Sequence, residues 1–173
     1  MAPERTEPEL VPGTDADRAL VANLLQLYLH DHSQYAQVEP DASGRFEFPW
    51  LDDYFGRPGR ECWVIRADGR PVGFALTRDG VPGDEDAWHL AEFFVLRAHR
   101  RRGLGRRAAR LVLQRHPGWW TLSYLANNTP AAGLWPALAA ELSGGRVRRV
   151  EQAQTQPAAP APRYRLRFEV PAP

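Results

Sequence analysis

The chain is predicted to be one mixed α/β domain, and three observations lead there. Apolar residues recur with helical and with strand periods in the order helix, β-hairpin, strand, helix, strand, helix, strand, strand. The length, 173 residues, suits a single domain with a substantial core. The stretch from 88 to 125 is a strand–helix–strand unit, which makes its two strands parallel or splayed neighbours.

The elements follow in order. Residues 1–13, with prolines at 3, 8 and 12, read as a flexible arm ahead of a domain over 14–173. Thr14-Asp-Ala-Asp17 offers N-caps for a helix whose apolar stripe is Leu20, Val21, Leu24, Leu25 and Tyr28, ending between His30 and Tyr35. A looser stretch from Val38 to Pro58 carries five aromatics, enough for a cover over the core or a pocket wall. Cys62–Arg66 and Val72–Leu76 flank Asp68-Gly69, a strong hairpin turn. Gly80–Asp86 reads as a polar loop and Trp88–Leu96 as a strand. Regular alternation would place Leu90, Glu92, Phe94 and Leu96 on one face, with His89 opposite. A helix through Ala108 and Val112 stops at Pro117-Gly118. A strand covers Trp119–Leu125, and a helix covers Pro130–Leu142 with Thr129 as its cap. Two final strands, Val147–Glu151 and Tyr164–Val170, are joined by a Pro/Ala/Gln-rich segment expected to be mobile.

Composition excludes several functions. All 22 basic residues are arginines, so neither a lysine-bearing phosphate loop nor Schiff-base chemistry is available. The single cysteine, Cys62, leaves no internal disulfide and no cysteine zinc site. His30-x-His32 points to two helix faces, so no metal site is expected. There is no long apolar run and no signal-peptide stretch at the start, so no membrane partner and a cytoplasmic setting are expected. The zero-lysine usage fits a GC-rich genome. Charge is strongly segregated. Up to Glu92 there are 8 arginines against 18 acids, −10; from Phe93 on there are 14 against 3, +11. This reads either as two solvated faces or as a second half that holds a polyanion and a first half that meets a cation. Nucleic acid is not the expected partner, since no aromatics interleave the arginine block.

The loop Arg100-Arg-Arg-Gly103-Leu-Gly105-Arg-Arg-Ala108 lies between a strand and a helix. Its glycines let the backbone approach a ligand, and the first helical N–H groups favour an anion. Backbone amides and arginines together form a natural pyrophosphate cradle. The spacing also satisfies G-x-G-x-x-A, but that dinucleotide fingerprint wants an acid about 20 residues later, and none lies between Glu92 and Glu141.

Arg100-x-x-Gly103-x-Gly105 resembles the R/Q-x-x-G-x-G/A signature of the GNAT superfamily of N-acetyltransferases, and Asn128-x-x-Ala131-x-x-Leu134-Trp135 is similar to its N-x-x-A-x-x-L-Y segment. The element order matches over nearly the whole chain. The resemblance implies a single-domain fold with a mixed, mostly antiparallel, splayed sheet flanked by helices, and an acetyl-CoA core at about 88–142. It implies acetyl-CoA as co-substrate, its pantetheine arm along Phe94, Val95 and Leu96 and against Asn128 and Trp135. Its pyrophosphate would rest on Arg100, Arg101, Arg102, Gly103, Leu104, Gly105 and Arg106. The acceptor would be a primary amine of a small molecule or peptide, acetylated directly in a ternary complex. The resemblance alone, and no residue, implies a homodimer.

Attack needs a neutral amine, hence a base. Glu92, three residues before Val95, is the candidate, its alternative being a structural ion pair. Trp135 stands where relatives carry a tyrosine acid, which leaves Tyr124 as the substitute acid or a buried structural tyrosine. It also opens a second reading, a noncatalytic acyl-CoA-binding or sensing domain. Tyr28, His32, Tyr35, Trp50 and Tyr54 are candidates for the acceptor wall.

Overall fold

A computed structural model describes residues 7–153 and 161–172. It contains β1 (Glu9–Pro12), α1 (Arg18–Ser33), β2 (Arg60–Ala67), β3 (Arg70–Val81), β4 (Asp84–Val95), α2 (Leu104–Leu113), β5 (Gly118–Leu125), α3 (Thr129–Ser143), β6 (Val147–Gln152) and β7 (Arg163–Val170), with short 3-10 turns between some of them. The strands form one seven-stranded sheet in the order β1-β2-β3-β4-β5-β7-β6. Only the β4–β5 pair is parallel, so the sheet is mixed and mostly antiparallel, as expected.

The β2–β3 hairpin turns on Asp68 and Gly69, both at positive φ (50° and 71°), the geometry an Asp-Gly turn supplies. Two segments differ from expectation. Residues 9–12 are no loose arm but an edge strand in antiparallel register with β2, from Glu9↔Arg66 to Pro12↔Trp63; residues 1–6 of that arm lie outside the described residues. Gly80–Asp86 is no loop: β3 runs to Val81 and β4 starts at Asp84, leaving a two-residue turn. The segment joining β6 to β7 falls largely on 154–160, also outside the described residues.

The sheet separates two cores. On one side α1 sets Val21, Leu24, Leu25 and Leu29 against Val64, Phe74, Leu76 and Phe94. On the other, α2 and α3 bury Ala108, Val112, Leu138 and Leu142 over Trp120, Leu122, Leu166 and Phe168. Fully buried side chains such as Phe74 each contribute about 2–3 kcal/mol of apolar burial. α3 is capped not by Thr129 but by Asn128, whose Oδ1 accepts the Ala131 N–H at 3.2 Å.

Two irregularities in the middle of the sheet create the site. β4 and β5 pair only from Trp88↔Trp120 to Leu90↔Leu122, then separate, while β5 stays paired with β7 to Leu125↔Arg163. Where that pairing stops, the β3–β4 register shifts: Thr77 faces Leu90, but Leu76 faces Glu92. Ala91 is the extra residue of a β-bulge. Leu90 therefore lies with the α2/α3 core, whereas Glu92 lies with Leu76 and Phe94 on the α1 face. The bulge also corrects the expected position of His89. Its cross-strand partner is Arg78, which shares a face with Leu76, so His89 and Glu92 are on the same side of the sheet.

Candidate functional site

The split between β4 and β5 opens two adjoining cavities. The deeper, about 220 Å³, is lined by Tyr28, His32, Glu92, Tyr124, Trp135 and Arg163, among others. The outer, about 720 Å³, extends past Val95 to Arg100, Gly103 and Gly105 on one side and Asn128 on the other. Tyr28, His32, Phe93, Asn128, Ala131 and Trp135 line both, so the two form one continuous groove.

The groove edge of β4 is unpaired backbone. The Leu96 N–H bonds the Val72 carbonyl at 2.8 Å, so strand alternation turns the N–H groups of Phe93 and Val95 the other way, into the split. Leu96 itself faces β3 and the α1-side core, and the Phe94 side chain is buried there too. At the mouth, Gly103 is the N-cap of α2 with φ 75°, a left-handed conformation that favours glycine. The α2 amides that follow have no acceptor earlier in the helix. A Cβ placed on Gly105 would meet only Val95 Cγ2, at 3.9 Å. Packing therefore does not demand glycine there, and the space before it is open to a ligand. A pyrophosphate fits this cradle.

The arginines divide into two kinds. Arg100 is an anchor: its Nε donates to the Val95 carbonyl at 2.6 Å and its Nη2 to Asp31 at 2.6 Å. Arg97 donates to the same carboxylate at 2.5 Å. Arg106 and Arg110 share Glu141 of α3, and Arg107 reaches Glu7 at 3.1 Å. Arg101 lines the outer cavity, while Arg102 is exposed and lies outside both cavities. Leu104 turns its side chain into the core, 3% exposed, so only its amide can face a ligand. Charge segregated along the chain is thus largely matched in space, and Asp31, with no distinctive sequence signal, is the residue that ties α1 to the glycine loop.

Glu92 is the carboxylate in the deep cavity. Burial raises its pKa to about 7, working against the Tyr28 hydrogen bond and the Arg163 and Arg78 guanidiniums, which lower it. The Tyr28 hydroxyl donates to Oε2 at 2.5 Å, and burial with the adjacent Glu92 charge holds that hydroxyl's pKa well above the usual tyrosine range. His89, nearby on the same face, is no competing base. Burial, Arg78 and Arg165 push it down to about 3, and its Nδ1 lies 2.9 Å from the Thr121 hydroxyl. His32 stacks on Tyr28, ring centroids 5.7 Å apart, and burial depresses its pKa. Trp135 packs edge-on against Phe93 at 5.3 Å, and Tyr124 shares the deep cavity with it.

Of the expected acceptor wall, Tyr28, His32 and Tyr35 line the groove. Trp50 and Tyr54 do not. Trp50 is 61% exposed and outside both cavities, held against Phe48. Tyr54 is buried and borders a separate cavity beside β1 and β2. Arg163, absent from the sequence reading, faces the deep cavity from the start of β7. Its only sequence signal is the period-2 run Arg163, Arg165, Arg167.

Residues 21–139 match the model of the Acetyltransferase (GNAT) family. No curated protein matches the chain significantly. Among solved structures, an acetyltransferase from Thermus thermophilus superposes with TM-score 0.63 at 19% identity, over 96% of this chain and 99% of that one. The ribosomal-protein-S18-alanine N-acetyltransferase from Escherichia coli gives 0.64 at 14%, over 96% of each. A diaminobutyrate acetyltransferase from Paenibacillus lautus, in complex with L-2,4-diaminobutyric acid and coenzyme A, gives 0.61 at 14%, over 95% and 96%. At these identities the likeness establishes the fold. The family match spans more than half of the chain, and the chain belongs to the GNAT acetyltransferase family.

Proposed function

We propose that this family member transfers an acetyl group from acetyl-CoA to a primary amine of a small molecule or peptide, by direct attack within a ternary complex. One observation carries the reading: the deeper cavity, where β4 leaves β5, is lined by a single carboxylate, Glu92, three residues from the inward-turned Val95 N–H. Bound acetyl-CoA supplies a thioester whose C–S bond breaks as the C–N bond to the amine forms. The amides at the start of α2, with Arg101, hold the diphosphate; the β4 edge at Phe93 and Val95, Asn128 and Trp135 hold the pantetheine arm. Glu92 takes the proton that the amine must lose. At a pKa of about 7 it is ionised in half the molecules at neutral pH and still basic enough to accept it. The Val95 N–H donates to the thioester oxygen, where negative charge develops. The Tyr124 hydroxyl supplies a proton to the departing thiolate.

Titration calorimetry with acetyl-CoA, with NAD as control, on the wild type and Gly105→Glu tests the cradle. Binding of acetyl-CoA alone, lost in the variant, is expected. An absence of binding to the wild type overturns the reading.

A second reading, a noncatalytic acyl-CoA-binding domain, draws on Trp135, an indole where an acid would be expected. It predicts acetyl-CoA binding without thiol release on any amine.

A further inference from the structure

We propose that the acceptor amine carries an anionic group, carboxylate or phosphate, and that Arg163 receives it. The proposal rests on the acetyltransferase reading of the site and narrows its substrate class.

β7 places Arg163, Arg165 and Arg167 on one face of the sheet by alternation. Two of the three are occupied. Arg165 pairs with Asp84 at 3.2 Å, and Arg167 with Asp84 and Asp86, both at 2.8 Å. Arg163, one step nearer the split, has no ion-pair partner among the described residues, yet it lines the cavity that holds Glu92 and Tyr28. Glu92 and Arg163 are the only formally charged side chains of that cavity lining. Arg78 adds the same sign from β3, on the face of the sheet that carries Glu92. Its Nε is buried without a hydrogen-bond partner.

The acids of the first half do not offset this. Asp31 is held by two arginines, Asp84 and Asp86 by β7, and Glu61 by His116 at 2.9 Å. The −10 balance of the first half therefore does not make an acceptor site for cations. A polyamine would find one carboxylate, already committed to the proton transfer, between two arginines. A molecule with its amine at Glu92 and an anion at Arg163 satisfies both charges. The planar guanidinium fork matches a carboxylate or phosphate through two parallel hydrogen bonds.

The test uses matched pairs on the wild type and on Arg163→Gln and Arg163→Lys. The pairs are L-ornithine with putrescine, L-lysine with cadaverine, and phosphoethanolamine with ethanolamine. Binding to the CoA-saturated protein is followed by thermal shift, and turnover by thiol release from acetyl-CoA. The member that carries the anionic group should, in at least one pair, exceed its partner roughly tenfold or more in kcat/KM, equivalent to about 1.4 kcal/mol. Which pair responds separates carboxylate from phosphate. Arg163→Gln should erase that ratio through KM, and Arg163→Lys should restore part of it. Arg163 is exposed at a strand end, so melting temperature checks that the variants stay folded. Equal binding of the members that lack the anionic group, a ratio unchanged in Arg163→Gln, or no probe binding overturns the proposal alone. If the wild type fails to bind acetyl-CoA, the acetyltransferase reading falls as well.

Discussion

The Tyr28 hydroxyl donates to Glu92 Oε2 at 2.5 Å, joining α1 to the one carboxylate of the deep cavity. The tyrosine is fixed for this task. Phe74 and Phe94 both meet its ring edge-on at 6.0 Å, and His32 stacks on it. An acceptor-wall residue by its sequence position, Tyr28 is in the structure the partner of the candidate base.

Replacing Tyr28 with Phe removes a hydrogen bond that lowers the Glu92 pKa, so Glu92 should become less acidic. From a pKa of about 7, a tenfold loss of acidity cuts the ionised fraction at pH 7 roughly fivefold. Activity near neutrality should fall accordingly and recover in alkaline buffer. The pH–rate profile of Tyr28→Phe measures this, and an inflection that stays in place would detach Tyr28 from the base.

For Glu92→Gln, turnover should drop roughly 10²- to 10⁴-fold, the usual worth of a positioned base. The kcat/KM rise centred near pH 7 should vanish. Stability should move the other way. Glu92 has a pKa of about 7 in the fold against an ordinary value of 4.5, so the unfolded chain releases this proton first. The fold therefore loses stability as pH rises from 4.5 through 7. The Gln variant escapes that loss and should be more stable at pH 8, on the order of 1–3 kcal/mol, but not at pH 4. Denaturant melts at the two pH values check the sign.

Gly103→Ala places a side chain in the left-handed region at φ 75°. It should cost about 1 kcal/mol of stability and weaken acetyl-CoA binding by displacing the first α2 amides. Melting temperature and calorimetry report the two effects separately.

Asp31→Asn breaks the clamp on Arg97 and Arg100. Both arginines are well exposed, so the stability loss should stay near about 1 kcal/mol. The glycine loop loses its link to α1, and acetyl-CoA affinity should weaken roughly tenfold, about 1.4 kcal/mol, which titration calorimetry measures.

Much of the fold was legible because its signals are local. Asp68-Gly69 fixes a hairpin whatever surrounds it. The α1 stripe and the helix stop at Pro117-Gly118 needed no partner to be recognised. The β4 bulge was not legible: nothing within Trp88–Leu96 marks an extra residue, and only the pairing with β3 decides where it falls. That one residue placed Leu90 and Glu92 on opposite faces and brought His89 round to the Glu92 side. Gly80–Asp86 misled in the opposite way, since its glycines and proline mark one tight turn inside two long strands. Within the site, Glu92, Val95 and the glycine loop follow from their positions beside the motif. Asp31 and Arg163 did not, because one acid on a helix and one arginine on a strand acquire meaning only from what the fold sets opposite them.

α1 carries, within five residues, the phenol that holds Glu92, the carboxylate that clamps the glycine loop, and a histidine that walls the cavity. Under the proposed mechanism, divergence toward a new acceptor through this helix would be penalised, since a change there would disturb donor binding and proton transfer together. Arg163, at the start of β7, bears on Glu92 through its charge alone. New specificity in this lineage should accumulate there, leaving the helix as the slowly changing frame of the catalyst.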